Sequence, residues 1–461
     1  MPVAARTHGG ALLSRFLIHD GVLVCMDAAG TVLRGDLLIE NGAILALGPG
    51  VATQAGGPLE RFDARGGFVL PGFVQAHLHL CQTLFRGLAE QSDLLRWLRE
   101  RIWPLEASHT EASMTASVNL GLAELVAGGV TCVNDMGTVR HTDAIGSALE
   151  ASGVRAVFGK ALMDRGEGVP KDLLDAPSTG LDEALALAKR WHGAAGGRLS
   201  VSLAPRFILS CSERLWRDAS ATAVERALVL HTHIAEAPSE GREVEASVGR
   251  TAARWFAETK VLSPRFVGAH GVWLEDDELA TLKSADAALV HCPGSNLKLG
   301  SGLADVGRWQ GAGLRRGLGS DGAPCNNRLD TFHEMSLAAG ISRLCHPEAP
   351  LSSRDVLALA TCEGARALGL ADRVGSLEPG KQADVIVVDA SAPSLAPNEM
   401  EDPYGTLVHA ARTADVRMTM VAGRVLYQDG QWSTLDPQRA AAEARMEARG
   451  LVRRAESAGM R

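Results

Sequence analysis

Between residues 73 and 321 short apolar runs alternate eight times with Ala-, Leu- and Glu-rich stretches, and this repeated order limits the fold more than any other feature of the chain. The runs lie at 73–79, 130–135, 154–164, 199–206, 227–236, 266–272, 287–293 and 314–321. A helix-forming stretch after each strand brings the chain back to run parallel to the strand before it, as βαβ units require. Eight such units in sequence favour a closed (β/α)8 TIM barrel, an α/β fold, over an open doubly wound sheet. No GxGxxG follows the first strand to argue for dinucleotide binding.

Both flanks have another texture. From 16 to 69 short apolar runs are broken by turn residues, and the pattern returns at 383–390 and 416–430. His19-Asp20-Gly21, Glu40-Asn41-Gly42, Gly423 and Gly430 put glycine at tight turns between strands, as hairpins require. The expectation is one small composite β-sandwich built by both chain ends: residues 1–70 and 373–461 flank a barrel over 71–372. The stretch 435–460, rich in Ala, Arg and Glu, reads as a solvated terminal helix.

Composition removes several functions. The 46 basic and 54 acidic residues leave a formal charge of −8, without a Lys/Arg run long enough to follow a phosphate backbone, so no nucleic-acid partner is expected. The eight cysteines form no CxxC pair, which fits a reducing compartment and offers neither a thiolate metal site nor a disulfide framework. The first residues carry no apolar run long enough for a signal core, and no later stretch approaches a membrane span. A cytoplasmic protein without a membrane partner is expected.

The chemistry gathers at strand ends. Residues i and i+2 of a strand share a face, so His77 and His79 of AHLH project together at the end of the first strand. Strand five ends HTHIAE, strand six AHGV, strand seven HCP and strand eight GSDG, and in a barrel all these ends meet at one face. Three histidines and Asp321 with a water suit a divalent metal, zinc first, with Fe2+ or manganese tolerated by the same ligands. Asp321 is suited to bind the metal and to accept a proton from the attacking water. Glu236 stands three residues past His233, placed to carry a proton to a ring nitrogen or leaving amine, and His270 is placed to hydrogen-bond a developing oxygen. His231 and His233 face the same way, and spacing alone does not choose between them. Lys160 reads either as a carbamylated bridge between two metals or as an ion-paired strand lysine.

With LPGFVQAHLHLCQTLFRG (70–87), WLRERIWPLE (97–106), HTHIAE, HCPGSNLKLGSG (291–302), GLGSDGAPCNN (317–327) and VGSLEPGKQADVIVVD (374–389) in this order, the chain resembles the amidohydrolase superfamily. The likeness is to its chlorohydrolase and aminohydrolase branch, which holds s-triazine hydrolases, guanine deaminase and deaminases of S-adenosylhomocysteine, methylthioadenosine and 5'-deoxyadenosine. It implies that His77, His79, His233 and Asp321 ligate one zinc, that His270 and Glu236 move protons, and that Lys160 is structural. It also implies a small heterocyclic substrate and a homo-oligomer.

Two substrate signals conflict. Glu106 in WPLE matches the Glu that meets ribose hydroxyls in adenosine-type deaminases. Arg206 in APRFILSCSE and Gln82, three residues after HxH, match residues that read guanine in guanine deaminase. An adenosine derivative is preferred, with guanine, another heterocycle or a triazine as the alternative within the branch and a catalytically silent binding barrel as the alternative outside it.

Overall fold

A computed structural model describes residues 15–460 apart from 55–57, 91–92, 177 and 398–401; the first fourteen residues of the expected 1–70 segment lie outside the described residues. The eight expected strands are all present and all parallel: Phe73–His79, Val130–Thr138, Arg155–Leu162, Leu199–Pro205, Val229–Ile234, Phe266–His270, Ala288–His291 and an eighth in two pieces, Arg315–Leu318 and Asp321–Gly322. The second piece pairs with the first strand, Asp321 opposite Leu78 and Gly322 opposite His79, which closes the ring. Closure therefore sets Asp321 beside His77 and His79, although 240 residues of chain lie between.

Both chain ends share one nine-stranded sheet, in which Phe68–Pro71 from the first half pairs with Val385–Val388 from the second. Phe16, Ile18, Leu37, Ile39, Val385, Val387, Met418 and Met420 form its common core. The expected turns at Asn41-Gly42, Gly423 and Gly430 are hairpins, with φ of 50° and 81° at Asn41 and Gly42, the positive values that a tight two-residue turn demands. The expected turn at His19-Asp20-Gly21 is instead a bulge inside one continuous strand, Arg15–Val24. Asp20 takes φ 55° there, and a Cβ on Gly21 would lie 2.6 Å from the Val69 side chain, so this Asp-Gly serves a close strand approach. The terminal helix, Pro437–Ser457, buries Ala440, Ala444, Leu451 and Ala455, and Arg454 Nε donates to Ser108 O, so it is docked on one face rather than solvated all round. Among the described residues no helix is long and apolar enough to cross a membrane.

One buried ion pair ties the sheet to the barrel. Arg155 on the third barrel strand donates from Nε and Nη2 to the two carboxylate oxygens of Asp384, each at 2.8 Å, and both side chains are 1% exposed. Removing one partner strands a buried charge, a loss of about 3–5 kcal/mol. Arg155→Met is expected to lower unfolding stability by that amount in urea titrations, and Arg155→Met with Asp384→Leu by distinctly less. Equal losses in the single and double variants would contradict the pairing.

Candidate active site

His77, His79, His233, His270 and Asp321 meet at the barrel mouth, whereas His291 of strand seven is buried against Trp309 and is not among them. His77 Nε2 lies 3.3 Å and His79 Nε2 3.4 Å from Asp321 Oδ1, and His79 Nε2 lies 3.2 Å from His233 Nε2. Ligands about 2.0–2.2 Å from one ion, at tetrahedral or slightly smaller angles, stand about 3.0–3.4 Å from each other. The observed spacings fit a single divalent ion. His77, His233, His270 and Asp321 also offer ligand atoms all within 4.8 Å of one another, so five groups converge in all. His270 Nε2 stands on the other carboxylate oxygen, 3.9 Å from Asp321 Oδ2, and nearer to Glu236 Oε2 at 3.4 Å.

Hydrogen bonds on the far ring nitrogens set which nitrogen is free. His233 Nδ1 donates to Arg206 O at 2.8 Å, leaving Nε2 unprotonated toward the cluster. His77 Nδ1 contacts His231 Nε2 at 2.8 Å, and His77 Nε2 is buried without a partner. His231 thus stands behind His77 and orients it. Burial pushes the His77 imidazole below its ordinary pKa, and those of His79 and His233 well below, which keeps the rings neutral as ligands must be. Burial alone would raise the Asp321 carboxyl, but the surrounding imidazoles of His77, His270 and His79 outweigh it and hold Asp321 ionised.

Glu236 is the opposite case. Burial, then the nearby carboxylates of Asp321 and Glu240, push its pKa well above the ordinary range, which favours the protonated form. Two buried carboxyl groups shifted in opposite directions therefore line one chamber, the division of labour that acid–base chemistry needs. Lys160 is elsewhere: its Nζ donates to Val139 O at 2.7 Å and Asp175 at 3.1 Å and pairs with Glu183 at 3.2 Å.

The chamber is lined by His79, Gln82, Arg206, His233, Glu236, Glu240, His270 and Asp321 under an apolar wall of Leu94, Trp97, Leu98 and Phe207. Three of the wall residues come from a short helix, Leu94–Trp97, running into the π turn Leu98–Ile102. Gln82, Glu106 and Arg206 meet in one buried cluster: Arg206 Nη1 and Nη2 donate to Glu106 Oε2 and Oε1 at 2.5 and 3.1 Å, and Gln82 Nε2 donates to Glu106 Oε1 at 2.8 Å. The two conflicting substrate signals are thus halves of one ion pair. Residue spacing gave no hint of Glu240, Trp97, Phe207, Ser295 or Asn296. For the last two the polar run SNLKLGSG directly after strand seven was the available signal.

Residues 68–426 match the amidohydrolase family. The chain belongs to that family. This amidohydrolase is 36% identical over 413 residues to a 5'-deoxyadenosine deaminase of Methanothermobacter thermautotrophicus, covering 88% of this chain and 92% of the relative. It is 35% identical over 447 residues to a 5-methylthioadenosine/S-adenosylhomocysteine deaminase of Symbiobacterium thermophilum, covering 96% and 100%. A crystal structure of an adenosine deaminase from Xanthomonas campestris with bound zinc superposes with a TM-score of 0.88 at 28% identity, covering 95% of this chain and 98% of that one.

Proposed function

We propose that this amidohydrolase deaminates an adenine nucleoside of the 5'-deoxyadenosine, methylthioadenosine or S-adenosylhomocysteine type, with His77, His79, His233 and Asp321 holding one zinc ion. The observation that carries it is the convergence of His77, His79, His233 and Asp321 at spacings that suit one ion, with Glu236, whose pKa burial raises, lining the same chamber. Such an ion supplies Lewis acidity that brings the pKa of water toward ~7. Asp321 takes the proton of the attacking water, Glu236 gives its proton to ring N1, and His270 Nε2 accepts from or donates to the oxygen added at C6. Water oxygen ends on C6, its two protons are shared between N1 and the departing amine, and ammonia leaves. Leu94, Trp97, Leu98 and Phe207 offer the purine and its 5' substituent an apolar wall.

The guanine alternative rests on Arg206 and Gln82, which line the chamber. Both terminal nitrogens of Arg206 donate to Glu106, however, so its bidentate fork is already taken by a carboxylate. Zinc-loaded protein is expected to release ammonia from 5'-deoxyadenosine, methylthioadenosine or S-adenosylhomocysteine at least about 100-fold faster in kcat/KM than from guanine, a gap of about 2.7 kcal/mol. No ammonia from any adenine nucleoside would overturn the proposal, and a preference for guanine would install the alternative.

A further inference from the structure

Strand seven, Ala288–His291, pairs with strand six on one side and strand eight on the other. The helix that follows it, Pro293–Lys298, therefore starts between the two strand ends that carry His270 and Asp321. Its consecutive residues Ser295 and Asn296 are both fully buried and diverge by the ~100° that separates neighbours on a helix. Ser295 Oγ donates to Asp321 Oδ2 at 2.6 Å, and Asn296 Oδ1 accepts from His270 Nδ1 at 2.9 Å. An amide oxygen only accepts, so His270 holds a proton on Nδ1, and the imidazole tautomer this selects turns a bare Nε2 into the chamber. That nitrogen is buried and has no hydrogen-bond partner.

Both clamped residues occupy backbone that a side chain disfavours: φ is 77° at His270 and 59° at Asp321. The clamp itself is anchored. Glu334 accepts from Gly294 N at 2.9 Å and from Asn326 Nδ2 at 2.7 Å, and Asn326 Nδ2 also donates to Ser320 O at 2.8 Å, so the helix start and the residue before Asp321 share one support.

We infer that Ser295 and Asn296 are a pair of positioning residues that fix the ring tautomer of His270 and the orientation of the Asp321 carboxylate. Asn296 keeps His270 a proton acceptor at Nε2. Ser295 holds the Asp321 carboxylate so that Oδ1 faces His77 and His79 while Oδ2 faces His270. The inference rests on the deaminase reading only for its rate measurement.

The test uses zinc-loaded protein labelled with 15N-histidine, in which long-range 1H–15N correlations report the ring tautomer. Wild type is expected to carry the His270 proton on Nδ1, Asn296→Leu to move it wholly or partly to Nε2, and Asn296→Asp, which keeps an acceptor, to restore it on Nδ1. In Asn296→Leu kcat should fall about 30-fold, inside the roughly 10–100-fold typical of losing a partner behind a site residue, while KM moves less than about threefold and zinc stoichiometry is unchanged. Asn296→Asp should lose less than about fivefold, and Ser295→Ala should lose about tenfold in kcat with zinc retained, so the pair is testable even where the leucine variant does not fold. A wild-type His270 protonated on Nε2, or an Asn296→Leu protein with unchanged tautomer and kcat, overturns the inference. Wild type that shows the Nδ1 tautomer but releases no ammonia leaves the inference standing and removes the substrate reading.

Discussion

Asp321→Asn is expected to weaken zinc binding by more than about 100-fold, above the range for losing even a partner behind a ligand, and to cut kcat/KM for ammonia release by at least about 10³-fold. The substitution keeps shape and removes charge. Asp321 is the one ionised group on which the ring nitrogens of His77 and His79 converge, and its acidity is held down by those rings and His270 against the pull of burial. Without the carboxylate, neutral imidazoles alone face the ion, and no group remains in place to take the proton of water. The same residue is held at φ 59° by Ser295 and by Gly322 N, which donates to Oδ1 at 2.8 Å, so the fold has committed unfavourable backbone to this orientation. Metal titration by competition with a chromophoric chelator, with initial rates at saturating zinc, checks both parts. A variant that binds zinc normally and works within tenfold of wild type would mean that Asp321 is neither ligand nor base.

The barrel and the meeting of its strand-end histidines were legible because two local regularities suffice for them: strand–helix alternation orders the sheet, and period-two spacing puts His77 and His79 on one face. Closing the ring then brings Asp321 to them whatever the loops between do. The choice between His231 and His233 was not local. Both lie on one face of Val229–Ile234, and what separates them is the partner of Nδ1, a carbonyl on the neighbouring strand for His233 and nothing for His231. The meaning of Glu106 and Arg206 was equally hidden, since a pair 100 residues apart leaves no periodic trace. Each looked like a substrate reader of a different enzyme until the structure put one against the other. His19-Asp20-Gly21 failed for a related reason: an Asp at positive φ before a Gly suits a hairpin turn and a bulge alike, and only the packing of Gly21 on Val69 decides. Ser295 and Asn296 were visible as a motif, but their partners belong to the strands on either side of strand seven, which topology supplies and spacing does not.

Glu236→Gln should lower kcat for an adenine nucleoside about 10²–10⁴-fold, the usual worth of a positioned proton donor, while zinc stoichiometry stays at the wild-type value. Glutamine fills the same space and keeps an acceptor for the Ser301 hydroxyl that approaches Glu236 Oε1 at 3.4 Å, but it has no acidic proton to give. The pH dependence has a definite sign. Burial and the carboxylates of Asp321 and Glu240 raise the Glu236 pKa, so the active, protonated form persists through neutral pH and is lost as pH rises through that raised value. Asp321 is shifted the other way and stays ionised well below neutral pH, so the wild-type rate should decline on the alkaline side first, and this decline should vanish in the glutamine variant. Leaving-group chemistry separates proton delivery to the departing amine from delivery to ring N1 alone. A 6-chloropurine nucleoside expels chloride, which needs less proton assistance than an amine, so the variant should lose at least tenfold less on it than on the amino substrate. Equal losses on both substrates would confine the Glu236 proton to ring N1 and leave protonation of the departing amine to another group, with Glu240 next in line because its carboxyl lines the same chamber and is also raised by burial.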